Sequence, residues 1–176
     1  MNRKFFMTVV SVIVCYIPVF AQSYTENDFG TSFTSMFSDI IEERGVVNES
    51  IQADGVYIPK SIVKDGVQFD FYHWYFDNDE KLCQIVYTKS AFPIAELDNI
   101  VNMLTSHYTV IRREEGEMSW EPDITYYMKQ KDGNQFECKL EITKIAETTN
   151  CTLTLGFAPK YNNPHVFTPP TIIIDE

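Results

Sequence analysis

The chain has 176 residues, 44% of them hydrophobic, and 25 acidic against 14 basic side chains give a net charge of −11. That length allows one packed domain. The acidity sets aside nucleic acid as a partner, because neutralising phosphates takes clustered Lys and Arg; it disfavours an anionic membrane surface too. It suits solubility and would draw in a cationic partner.

Residues 1–21 read as a secretory signal. Asn2-Arg3-Lys4 start it, an apolar run from Phe5 to Ile17 follows, and Val19-Phe20-Ala21 offers a cleavage site before Gln22. The run is too short for a confident membrane span, so no membrane insertion is expected after cleavage. Cleavage after Ala21 leaves 155 residues and removes Arg3 and Lys4, taking the net charge from −11 to −13. Cys15 follows the bulky Val12-Ile13-Val14, which does not suit a lipidation site. The expected product is exported and soluble, periplasmic or secreted, and the compact signal has a bacterial look. Asn48-Glu-Ser and Asn150-Cys-Thr match the glycosylation pattern and are expected to stay unmodified in a bacterium.

Residues 22–32 form a polar leader. A helix is predicted from Phe33, where Phe33, Met36, Phe37, Ile40 and Ile41 recur at helical spacing and Arg44-Gly45 offers a stop. Val56 to Val63, with Pro59 inside it, reads as an edge strand. Val67 to Phe76 reads as one long aromatic strand, and Leu82 to Thr88 follows the turn Asp77-Asn78-Asp79-Glu80. A second helix starts near Pro93, with Ile94, Leu97, Ile100, Val101 and Leu104 as its apolar stripe. Strands are predicted at 108–113, 124–130, 135–144 and 151–158, with turns at Asp132-Gly133 and Glu147 to Asn150. Residues 159–176 form a Pro-rich tail.

The order is helix, meander, helix, meander. The two stripes superpose, Phe33 on Leu97 and Ile40 on Leu104, so 33–88 and 93–158 read equally well as a repeat or as unrelated segments of like period. One face of each element is apolar, which predicts an α+β domain over 33–158: two helix-plus-antiparallel-meander units forming one antiparallel sheet with both helices on one face. In the last two strands Cys138, Leu140 and Ile142 alternate with polar neighbours, as do Leu153, Leu155 and Phe157. The cysteines left after cleavage, Cys83, Cys138 and Cys151, are odd in number and lack CxxC spacing. They are expected to be reduced and buried, with Cys138 and Cys151 offset along their ladder.

The strand 67–76 breaks the alternation. Phe69, Phe71, His73 and Tyr75 point one way, and Asp70, Tyr72, Trp74 and Phe76 the other. Pairing across the Asp77–Glu80 turn is predicted to set Trp74 beside Cys83, Tyr72 beside Ile85 and His73 beside Gln84. The set with polar neighbours is assigned to the open face, where Phe69, Phe71, His73 and Tyr75 form a candidate partner-binding surface. The alternative is that the Pro159–Pro170 stretch folds back over it.

Catalytic and metal motifs are not evident. His73, His107 and His165 are dispersed, and no GxSxG, P-loop or dinucleotide pattern occurs. Asp77 to Glu80 begins like a calcium loop, but Lys81 stands where an oxygen ligand belongs. Glu114, Glu115 and Glu117 are assigned to a wet loop, and a Cys83–His73 pair is set on opposite faces. No catalytic residue, metal or cofactor is therefore expected.

In layout, residues 33–158 resemble the β-lactamase-inhibitor-protein-like family of tandem helix-plus-meander proteins, and the related small outer-membrane-assembly lipoproteins. In that family an aromatic open sheet face grips a target protein. The resemblance implies Phe69, Phe71, His73 and Tyr75 as the analogous surface. The chain departs from the family's paired cysteines and from the lipidated cysteine of the lipoproteins. The expected function is a non-enzymatic exported binding module, an inhibitor or immunity-type protein for a basic partner. The alternatives are an envelope-associated structural protein and a hydrolase without a recognisable motif.

Overall fold

The computed structural model describes residues 24–36, 55–131 and 136–156. The signal, the helix positions Phe37, Ile40 and Ile41, the Asp132-Gly133 turn and the 159–176 tail lie outside these residues. The described strands are β1 (Val56–Ile58), β2 (Ile62–Lys64), β3 (Val67–Phe69), β4 (Phe71–Phe76), β5 (Leu82–Pro93), β6 (Tyr108–Glu115), β7 (Ile124–Gln130), β8 (Cys138–Ile145) and β9 (Thr148–Gly156). One helix, α1 (Leu97–His107), is described whole, and the chain is also helical over 33–36.

Seven strands form one antiparallel sheet in the order β1-β4-β5-β9-β8-β7-β6, and β2 and β3 form a separate hairpin. The domain is therefore α+β and mostly antiparallel sheet. Two meanders, β1-β4-β5 and β6-β7-β8-β9, meet where β5 pairs with β9 from Gln84↔Gly156 to Pro93↔Thr148.

Alternation dictates the packed side. Leu140 and Ile142 of β8 and Cys151, Leu153 and Leu155 of β9 are buried, as are Tyr72, Trp74 and Phe76 of β4. In α1, Leu97, Ile100 and Leu104 are buried at helical spacing after Pro93 caps the preceding turn. These residues share one core with Phe33, Met36, Val67 and Phe69. Phe33 meets Phe76 edge-on and Tyr24 meets Trp74 likewise, each with centroids 5.3 Å apart. Burying each such side chain contributes about 1.5–3 kcal/mol.

Three expectations are corrected by backbone corners. The segment predicted as one strand from Val56 to Val63 divides at Pro59, because proline cannot donate to a ladder. The long aromatic strand divides at Asp70. There the Asp70 N–H donates to Thr88 O at 2.9 Å, and the carboxylate accepts the Ser90 N–H at 2.7 Å. That bend reverses the side-chain parity, so Phe69 turns into the core at 0% exposure while Phe71 stays on the other face. β5 runs on to Pro93 through a bulge between Lys89 and Phe92. Asn150 Oδ1 accepts the Ala91 N–H there at 2.7 Å, so a side chain satisfies a donor the bulge frees.

The β4–β5 register is displaced by two residues from the predicted pairing: Trp74 faces Ile85, Tyr72 faces Tyr87 and His73 faces Val86. A bulge between Tyr75 and Phe76 accounts for one residue and a turn lengthened to take in Lys81 for the other; Cys83 sits in the bulge half-buried, its thiol donating to Tyr75 O at 3.5 Å. The β8–β9 turn is also shorter than predicted, with Ile145 paired to Thr148 around Ala146-Glu147, so Asn150 lies in the strand. Cys138 pairs with Leu155 and Cys151 with Ile142, so the two buried thiols are offset and free. Glu114 and Glu115 lie in β6 rather than in a loop.

Candidate binding face

The side of the sheet away from the core carries an unbroken cross-strand row. Tyr57 faces His73, His73 faces Val86, Val86 faces Thr154, Thr154 faces Lys139, Lys139 faces Tyr127, and Tyr127 faces Arg112. One residue comes from each strand. At strand spacings of about 4.8 Å the row spans about 29 Å.

The β1–β4 end is aromatic. Of the four predicted residues, Phe71, His73 and Tyr75 lie together and half-buried on this face, whereas Phe69 belongs to the core. Phe71 and Tyr75 each stand 6.0 Å from His73 by ring centroids, and the His73 and Tyr75 rings are stacked. The position that sequence reasoning missed is Tyr57, 41% exposed, which meets Phe71 at 5.3 Å and His73 at 5.0 Å. The signal was present, since Tyr57 stands between the buried Val56 and Ile58 and must point away from them. Desolvation among these rings lowers the His73 pKa below its ordinary 6.5, so the imidazole is neutral at pH 7 and the patch is uncharged.

The β6–β8 end is polar. A groove of about 470 Å³ runs between Gln84, Thr154, Lys139, Tyr127 and Arg112. Arg112 lies over the Tyr127 ring at 4.0 Å and pairs with Glu114 at 3.2 Å. Lys139 pairs with Glu141 at 3.0 Å. Both basic side chains of the row are thus paired with carboxylates.

Burial governs the three cysteine thiols. Burial, joined by the Asp77 charge, pushes the Cys83 thiol up to about 11, and burial pushes Cys151 up to about 12. Burial also raises Cys138. These thiols are poor nucleophiles at neutral pH. The Asp77 carboxylate accepts the N–H groups of Asp79 (3.0 Å) and Lys81 (2.9 Å), the bonding of a turn. Among the described residues, no group of three or more His, Cys, Asp or Glu is placed to hold a metal ion, and no helix is long and apolar enough to cross a membrane.

On the core side, a polar cluster ties the ends of the fold together. Glu26 Oε1 accepts from Lys64 Nζ at 2.6 Å and from Gln130 Nε2 at 3.0 Å. The Tyr108 hydroxyl donates to Asp65 Oδ2 at 2.6 Å. The cluster links the leader, the β2–β3 turn, β6 and β7. No family model matches the chain, and neither a curated protein nor a solved structure is detectably similar to it.

Proposed function

We propose that this is a non-enzymatic, exported protein-binding module whose open sheet face captures a partner protein. One observation carries the reading: Tyr57, Phe71, His73 and Tyr75 converge from two adjacent strands on the side of the sheet opposite the buried Tyr72, Trp74 and Phe76. Amphipathic rings held by a rigid sheet make large contacts at low conformational-entropy cost, which is why they dominate protein interfaces. The paired charges and the groove beside them supply the polar surround such a patch needs. The meeting of two meanders at β5 and β9 is compatible with a tandem layout, in which the resemblance implies the same aromatic surface that the polar neighbours predicted for His73 point to. The signal-like pattern of residues 1–21 supports an encounter outside the cytoplasm. The net charge, −13 once Arg3 and Lys4 are removed with residues 1–21, favours a basic partner through long-range steering.

The test is capture from the exported fraction of the producing cell, with Phe71→Ala and Tyr75→Ala compared against the parent chain. The expected outcome is loss of a captured protein while the thermal transition stays cooperative. Capture that survives both substitutions would defeat the reading, as would variants that simply unfold. A concentration-dependent dimer disrupted by the same substitutions would assign the face to self-association instead.

A further inference from the structure

The turn joining β6 to β7 holds Trp120 at 77% exposure, more than any other Phe, Tyr or Trp among the described residues, with Met118 two positions earlier at 50%. The turn is ordered. The Gly116 N–H donates to Asp123 O at 3.1 Å at its base, and the Glu121 N–H to Met118 O at 3.0 Å closes its tip around Trp120. The Glu121 carboxylate accepts the N–H groups of Glu117 (3.0 Å) and Met118 (3.3 Å). Folding gains nothing from this indole, because it is left in water while the other tryptophan, Trp74, is wholly buried. An indole left in solvent on a hydrogen-bonded turn is available to bind a partner.

Charge complementarity names the occupant. Residues 114–123 contain Glu114, Glu115, Glu117, Glu121 and Asp123 and no basic residue. The neighbouring Arg112 and Arg113 pair with Glu114 (3.2 Å) and Glu115 (2.6 Å), so these four cancel and the remaining acidity of the turn is that of Glu117, Glu121 and Asp123. Indole is the best cation–π face among the side chains, and nearby carboxylates strengthen its hold on ammonium and guanidinium groups. Anionic bilayers are repelled by the same charge. We propose that the β6–β7 turn is a second docking point, one that takes a Lys/Arg-rich polypeptide segment against Trp120. It lies at the β6 edge of the sheet, opposite the β1 edge that carries Tyr57, and it uses none of Tyr57, Phe71, His73 or Tyr75.

The probe is a synthetic decamer of alternating Arg and Ala, with a Glu/Ala decamer and phosphatidylcholine vesicles as comparisons, in about 0.15 M salt. Trp120 emission reports contact, because Trp74 is buried and contributes a separate blue component. The cationic decamer is expected to shift or quench the red component alone. Trp120→Ala, with charge unchanged, is expected to weaken its binding at least tenfold by calorimetry, and Glu117→Gln several-fold. The open-face variants Phe71→Ala and Tyr75→Ala are expected to bind the decamer as the parent does. Equal affinity of the parent and Trp120→Ala would reduce the effect to bulk charge and overturn the proposal. So would absence of binding, or a Trp120 response to vesicles in place of the cationic peptide.

Discussion

At Cys83 and Cys151 the cost of placing a thiolate in an apolar surround sets the chemistry. The ordinary thiol value of 9.0 moves to about 11 at Cys83 and about 12 at Cys151, with burial the larger cause at each. The folded state therefore keeps protons that the unfolded chain loses above pH 9. Their contribution to stability is present in full below that pH and falls as pH rises through 11 and 12. Burial raises the Tyr87 and Tyr108 hydroxyls as well, the latter helped by its bond to Asp65, and these act in the same direction at higher pH. We expect the urea midpoint to fall between pH 8 and pH 10.5, with a shallower fall in Cys151→Ala. We also expect iodoacetamide at pH 8 to leave Cys138 and Cys151 unlabelled until denaturant is added. Rapid native labelling of either would show that the strands open far more readily than their burial implies.

Among the elements, β8 and β9 were the most legible in the sequence, and their turn shows where legibility stops. Alternation in Cys138–Ile142 and Cys151–Leu155 assigns the packed face because each strand has one wet side. The strand predicted at 124–130 and the helix beginning near Pro93 emerge for the same local reason. Phe69 was misplaced because its parity is set at Asp70 by bonds to Thr88 and Ser90, residues some twenty positions away. The β4–β5 register failed similarly, since the bulge at Cys83 leaves no trace in hydrophobic spacing. Ala146 carries a local cost of this kind. It occupies the two-residue β8–β9 turn at φ 53°, a left-handed conformation that disfavours a Cβ. Ala146→Gly is expected to stabilise the fold by about 0.5–1 kcal/mol, as relief of the Cβ strain outweighs the added chain entropy. The measurement is the shift in urea midpoint at unchanged slope, and a lower midpoint would mean that the turn is held by something other than its backbone.

For the whole molecule the decisive feature is that the two meanders do not keep separate cores. β5 and β9 are the last strands of their meanders and lie side by side at the centre of the sheet, so each half completes its hydrogen bonding only with the other. The buried residues of both halves, from Phe33 and Trp74 to Leu104 and Leu155, belong to one cluster. The Glu26–Lys64–Gln130 contacts fasten the leader to the hairpin and to β7. Two meanders would suggest two folding units, but shared burial makes partial unfolding expensive for either. We therefore expect a single cooperative transition. Trp74 reports on the core of the first meander, and in a Trp120→Phe background it is the sole tryptophan. Its red shift in urea should coincide with the loss of far-ultraviolet circular dichroism, which is dominated by the whole sheet. Separate midpoints, with Trp74 exposed before the bulk of the strands melt, would show that the β5–β9 junction is weaker than either meander and that the halves behave as distinct units.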